Sequence, residues 1–206
     1  MKKGKKSQGL RYDECYAKIV LSQLVSNAYE NIVIKDKPDL QFSDGSRGIE
    51  VTQAIEEKQQ EAEKLFVKAS RGLVNDKERV MKRIREIGCK CENGILLGIP
   101  SKDTFQLILK AMEDKLDKIN NGSYAHFCHY DLFIFSDVYA DDMMQNNALE
   151  EMIKLSENYE LVFEKIFVLV PGYLYIFELR MKQICVIEYS NELQYEIACQ
   201  ANKMRG

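Results

Sequence analysis

No stretch of this 206-residue chain is apolar for long enough to cross a bilayer. The longest apolar run, Ile166 to Phe177, is interrupted by Pro171-Gly172. No hydrophobic segment comes after the basic start Met1-Lys-Lys-Gly-Lys-Lys, so neither a membrane span nor a secretory leader is expected. There is no large excess of one charge: 29 Lys and Arg face 32 Asp and Glu, a formal net charge of −3. That balance excludes a protein that coats nucleic acid by bulk attraction, while leaving room for a local basic face. Glycine-rich phosphate loops, dinucleotide fingerprints and nucleophile elbows are absent, which removes the common nucleotide-binding and serine-hydrolase patterns. Internal repeats and low-complexity tracts are absent too.

The composition that remains is globular. Hydrophobic residues make up 46% and charged residues 30%, a mixture that can enclose a core without metals or disulfides at this length. Residues 1–9, polar and cationic, read as a disordered basic arm, and 10–206 as a single α/β domain. Six cysteines (Cys15, Cys89, Cys91, Cys128, Cys185 and Cys199) without an export signal are expected to be reduced thiols in a cytoplasmic protein.

Periodicity predicts the elements. Ala17, Val20, Leu21, Leu24, Val25 and Ala28 recur at helical steps within 12–29. Short strands are expected at 31–35, 39–43 and 49–55, the last two forming a hairpin around Asp44-Gly45-Ser46-Arg47-Gly48. Charged helices come next at 56–70 and 76–88, with Gly88 at the stop position. The continuous apolar run 94–99 reads as a strand covered on both faces. Ser101 is a plausible N-cap for a helix that turns Phe105, Ile108, Leu109, Met112, Leu116 and Ile119 inward. A strand at 130–136, a helix at 140–158, a hairpin of 165–170 with 173–179, a strand at 183–189 and a short last helix from Asn191 complete the order. Because a helix joins the strands near 95 and 130, these two are expected to be parallel neighbours. The whole reads as an α/β fold with a mixed central sheet flanked by helices.

The hairpin holds the most informative residues. Side chains alternate along a strand, so Ile49 and Val51 point one way while Glu50 and Thr52 point the other. If Asp39 opens the partner strand, its carboxylate lies near that of Glu50. Two ionised carboxylates repel unless a cation lies between them, and a hard divalent ion with oxygen ligands is the usual solution.

Pro38-Asp39, followed after ten intervening residues by Glu50-Val51-Thr52, resembles the signature of the PD-(D/E)XK phosphodiesterase superfamily, whose fold is called restriction-endonuclease-like. The order of helix, three antiparallel strands, crossover helix and parallel strand is similar to that core over roughly 11–100. The resemblance implies a nuclease in which Asp39, Glu50 and the backbone carbonyl of Val51 hold Mg²⁺ or Mn²⁺, with DNA as substrate. It also implies a glutamate on the first helix, a place that Glu14 fits. The family's usual third residue is lysine, and here that position is Thr52, which carries no charge. Some members recruit the lysine from another element. Lys115, beside the inward stripe of its helix, is the first candidate, ahead of Lys118 and Lys58.

Two further clusters are legible. The segment 77–90 holds six bases (Lys77, Arg79, Lys82, Arg83, Arg85, Lys90) and two acids (Glu78, Glu86), a balance of +4. Arg79, Lys82 and Arg83 share a helix face that could neutralise phosphates. By contrast 137–164 carries eight carboxylates and one lysine, a balance of −7, so nucleic acid should lie away from it. Cys89 and Cys91 precede one strand, and His126, Cys128 and His129 precede another. Were those strands neighbours, four of these side chains could hold Zn²⁺, and a Cys128–His126 catalytic pair is a remoter option. Three functions are therefore open: a metal-dependent nuclease, which in this class can work as a homodimer; a binding module on the same fold with its chemistry lost; and a zinc-stabilised domain.

Overall fold

The structure is a computed structural model that describes residues 10–70, 72–92, 95–97, 104–122 and 124–205. The expected arm at 1–9 and the expected cap Ser101 lie outside the described residues.

Seven strands form one mixed sheet in the order β1-β2-β3-β6-β7-β8-β9. Strands β1 (Val33–Ile34), β2 (Leu40–Gln41) and β3 (Arg47–Ala54) make an antiparallel meander. The five residues between β2 and β3 form the expected turn, with Gly45 at φ 74°. Parallel pairing then runs from β3 to β6 (His129–Ser136) and on to β7 (Phe163–Val170). A second antiparallel meander adds β8 (Tyr173–Glu178) and β9 (Gln183–Glu188), with Gly172 at φ 85° in the β7–β8 turn.

Helices cover both faces. On one side α1 (Tyr12–Val20) and α6 (Asn191–Met204) bury Ile49, Val51, Phe133, Phe167 and Leu174. On the other side α4 (Gln106–Asn121) and α5 (Asp142–Ser156) bury Ala54, Leu132, Ile134, Ile166 and Phe177. The alternation of side chains along β3, β6 and β7 feeds both cores, which is why the central parallel strands are almost continuously apolar.

Two expectations are corrected. The 94–99 run does not join the main sheet within its described part: β5 (Ile95–Leu97) pairs antiparallel with β4 (Lys90–Glu92) in a separate two-stranded ribbon. The parallel neighbour of the 129–136 strand is β3, not β5. A short apolar run marks burial without saying against what. Here Leu96 packs with Ile84, Ile87, Ala62 and Cys89 in a small core of its own, built with α2 (Glu57–Ser70) and α3 (Lys77–Ile87). The helix expected over 12–29 is also divided. After α1 the chain widens into a π-turn at Leu21–Val25, then reaches extended backbone at Ser26, whose hydroxyl caps a 3₁₀ turn at Asn27–Asn31. Local Ser26 capping outcompetes continuation of the helix.

Candidate functional site

Strand register decides where Asp39 goes. Leu40 pairs with Ile49 and Gln41 with Gly48, so extending the ladder by one residue sets Asp39 opposite Glu50. Like charges facing each other across strands repel. Both are nonetheless buried, at 8% and 2% exposure. The loop that delivers Asp39 is fastened at several points. The Lys35 N–H donates to the Asp39 carbonyl (3.0 Å), and the Ala125 N–H donates to the Lys37 carbonyl (3.4 Å). The buried Gln41 amide donates to the Pro38 carbonyl (2.9 Å). Gly48 lets this loop close down: a Cβ there would sit 2.5 Å from Pro38 Cγ and 3.0 Å from the Phe127 ring. No side chain larger than hydrogen fits without displacing Pro38, the residue before Asp39.

The two carboxylates are held differently. Asp39 Oδ2 accepts the Val51 N–H at 2.8 Å. In a strand the N–H and C=O of one residue point to the same side, so the Val51 carbonyl also faces the β2 edge, beyond the point where β2 ends. Glu50 Oε2 accepts the Lys115 ammonium at 2.5 Å, and the same ammonium lies 3.7 Å from Asp39 Oδ2. Lys115 stands on α4 between the buried Met112 and Leu116, so its stem is enclosed and only its tip reaches the acids. The Tyr124 hydroxyl donates a further hydrogen bond to Glu50. Burial pushes the Glu50 carboxyl above its ordinary range, and the Lys115 charge opposes that shift without cancelling it. Burial, and the nearby Glu50 carboxylate, raise the Tyr124 hydroxyl as well.

Glu14 approaches from the other layer, on α1. It is 7% exposed, and its carboxyl is raised first by burial and then by repulsion from Asp39. Its nearest cation is Arg11, 3.4 Å away. Asp39 thus feels Glu14 on one side and Glu50 on the other. Among the described residues no group of three His, Cys, Asp or Glu gathers closely enough to hold an ion by itself. The site is a carboxylate pair with a lysine between, and Glu14 stands outside it. Thr52 is half-buried two residues beyond Glu50. Arg11 and Tyr124 were not legible in advance. Arg11 had a weak signal, three residues before Glu14 at a helix start; Tyr124, in an irregular segment, had none. A depression of about 860 Å³ opens beside Tyr124 and is lined also by Lys37, Lys118, Asp114 and Asp117.

The other predicted residues do not join this site. On α3, Arg79 and Lys82 line a shallow depression of about 690 Å³. Arg83 is turned to α2, where it makes two hydrogen bonds to Glu61 (2.8 and 3.0 Å). The Cys and His residues lose the geometric basis of their proposed grouping, because β4 and β6 belong to different sheets. Cys89 is buried in the small core, Cys91 and Cys128 are exposed, and His129 Nδ1 lies 2.9 Å from Glu164.

The candidate ligands themselves, the Asp39 and Glu50 carboxylates and the Val51 carbonyl, are all oxygen, the chemistry that suits a hard divalent cation rather than a soft one. Comparisons with protein-family models, with curated proteins and with solved structures return no match to this chain. Among the described residues, no helix is long and apolar enough to cross a membrane.

Proposed function

We propose that the protein is a metal-dependent nuclease of the PD-(D/E)XK type, hydrolysing phosphodiester bonds in DNA. The observation that carries this reading is Lys115, on a separate helix, within 2.5 Å of Glu50 and 3.7 Å of Asp39. A lysine reaching this pair from α4 supplies the positive charge that Thr52 lacks. The element order supports the same reading, with β6 rather than the 94–99 run as the parallel strand, so that the likeness extends over 12–136.

In this mechanism Asp39, Glu50 and the Val51 carbonyl hold Mg²⁺ or Mn²⁺. Such an ion, when bound, acidifies a water and offsets charge on a phosphoryl oxygen. Lys115 orients the attacking water and balances negative charge in the transition state. Tyr124 fixes the Glu50 carboxylate, and the Val51 N–H fixes that of Asp39. Glu14 acts from outside the pair. Of the three α3 bases singled out from the sequence, Arg79 and Lys82, rather than Arg83, are left to meet a phosphate backbone.

A second reading is favoured by the same short contact. The Lys115 ammonium already offsets one of the pair's two negative charges, as in a binding module on this fold whose own cation has replaced the metal. One assay separates the two. Purified protein with Mg²⁺ or Mn²⁺ should nick supercoiled plasmid, and Asp39→Asn and Glu50→Gln should abolish nicking. Equal cleavage by wild type and both variants overturns the nuclease assignment. Absence of both cleavage and calorimetric ion binding favours the module.

A further inference from the structure

The two edges of the main sheet differ. At one edge β1 is only two residues long, with Lys35 directly after it. At the other, β9 runs for six residues, Gln-Ile-Cys-Val-Ile-Glu, with no proline and no charge inside it. Natural edges are usually shortened, bulged or charged, because a long apolar edge is a template for another strand. β9 is neither shortened nor interrupted by proline and carries a charge only at its last residue, Glu188; Val186 is 45% exposed, and Met181, two residues before the strand, 61%.

The direction of its backbone groups is fixed by two independent bonds. The Tyr189 N–H donates to the Gly172 carbonyl, so Tyr189 faces β8, and by alternation so do Ile187, Cys185 and Gln183. The Leu179 N–H donates to the Glu164 carbonyl on β7, which turns Glu178, Ile176 and Leu174 toward β9. These are the partners of Gln183, Cys185 and Ile187 in the ladder. The N–H and C=O groups of Ile184, Val186 and Glu188 therefore face outward, away from the sheet.

We propose that β9 pairs antiparallel with β9 of a second copy of this chain about a two-fold axis, joining two seven-stranded sheets. One register suits the sequence. With Cys185 on the axis, Ile184 faces the second copy's Val186 twice, and Lys182 faces the second copy's Glu188 twice. Moving the axis to Val186 sets Ile184 against Glu188 and separates Lys182 from it. Only the Cys185-centred register matches apolar with apolar within β9 and also brings Glu188 across from Lys182, the turn residue (φ 54°) just before the strand. It also makes Ile184–Val186 a hydrogen-bonded pair on both sides of the axis. Cys185 becomes a non-hydrogen-bonded pair, whose Cα atoms lie about 4.5 Å apart. That distance falls within the range a disulfide spans, and Cys185 is an exposed free thiol.

The test uses the full-length protein. Sedimentation in reducing buffer should give twice the chain mass. Val186→Lys or Glu188→Lys should halve it, with helical content and melting behaviour retained. The pair Lys182→Glu with Glu188→Lys should restore the dimer, a rescue that a merely structural role for either residue would not produce. Under diamide, which takes up two electrons and two protons as two thiols become one disulfide, wild type should give a covalent dimer. Cys185→Ser should prevent it, while Cys91→Ser and Cys128→Ser should not. A monomer at all concentrations overturns the proposal, as does cross-linking that is indifferent to Cys185. The outcome is independent of the nuclease reading, since no β9 residue belongs to the carboxylate site.

Discussion

Replacing Lys115 with methionine keeps most of the stem's volume and removes its charge. Burial sets the consequence. Glu50, at 2% exposure, loses its nearest cation, while Asp39 keeps the Val51 N–H. Breaking a buried ion pair from one side costs roughly 3–5 kcal/mol when the remaining charge cannot escape. Glu50 can escape by taking up a proton. At pH 7 that costs about 2.5 pH units relative to its ordinary value of 4.5, or about 3 kcal/mol. The smaller figure prevails, so Lys115→Met should destabilise by up to about 3 kcal/mol at neutral pH. For a chain of this size that is a fall in Tm of roughly 6–12 °C. At pH 5 the proton costs only about 0.7 kcal/mol, and the loss should shrink to a few degrees. Adding Mg²⁺ or Mn²⁺ at pH 7 should return part of the lost stability if the oxygens left behind accept a divalent ion. Thermal melts at the two pH values, with and without the ion, measure all of this. A loss that is the same at pH 5 and pH 7 would refute the charge argument and leave only side-chain packing.

The same geometry sets three other outcomes. Gly48→Ala forces a Cβ against Pro38 and the Phe127 ring; it should cost roughly 1–3 kcal/mol in urea unfolding and reduce nicking by moving Asp39, and a neutral effect on both would show that the loop is not held as described. Glu50 binds its proton more tightly in the folded state than in the unfolded chain, so its contribution to stability is complete below its ordinary value of 4.5 and declines as pH rises through the raised folded value; Glu50→Gln should flatten that part of the stability–pH curve, and a curve of unchanged shape would contradict the shift. Arg83→Ala breaks a solvent-exposed pair with Glu61 and should leave stability nearly unchanged, whereas Ile84→Ala, fully buried in the small core, should cost roughly 2–5 kcal/mol; equal losses in chemical denaturation would mean that the α2–α3 interface is held by charge.

Most secondary structure was readable because it depends on near neighbours. The strands of both meanders and the helices α2 to α6 are dictated by spacing, caps and turn residues. Asp76, Asp141 and Ser190 each accept a backbone N–H at the start of a helix. Gly88, at φ 101°, ends the helix that Asp76 opens. The facing of Asp39 and Glu50 was also implicit, because a short hairpin and a period of two leave few registers. Which strand lies beside β3 was not. Both the 94–99 and 129–136 segments carry apolar runs, and only packing against α4 and α5 on one face and α1 and α6 on the other selects the longer one.

The centre of the candidate site lies at the same divide. Sequence alone placed two acids on one hairpin, required a cation for them, and put Lys115 near a buried stripe. It could not bring that ammonium to Glu50, 65 residues away along the chain. That contact exists because Met112 and Leu116 anchor α4 over β3, turning Lys115 inward at the one place where two buried carboxylates lower the cost of burying its charge. Tyr124 reaches Glu50 and Arg83 turns to Glu61 for the same reason: local sequence sets the element on which a side chain rides, and the packing of elements against each other sets what that side chain meets.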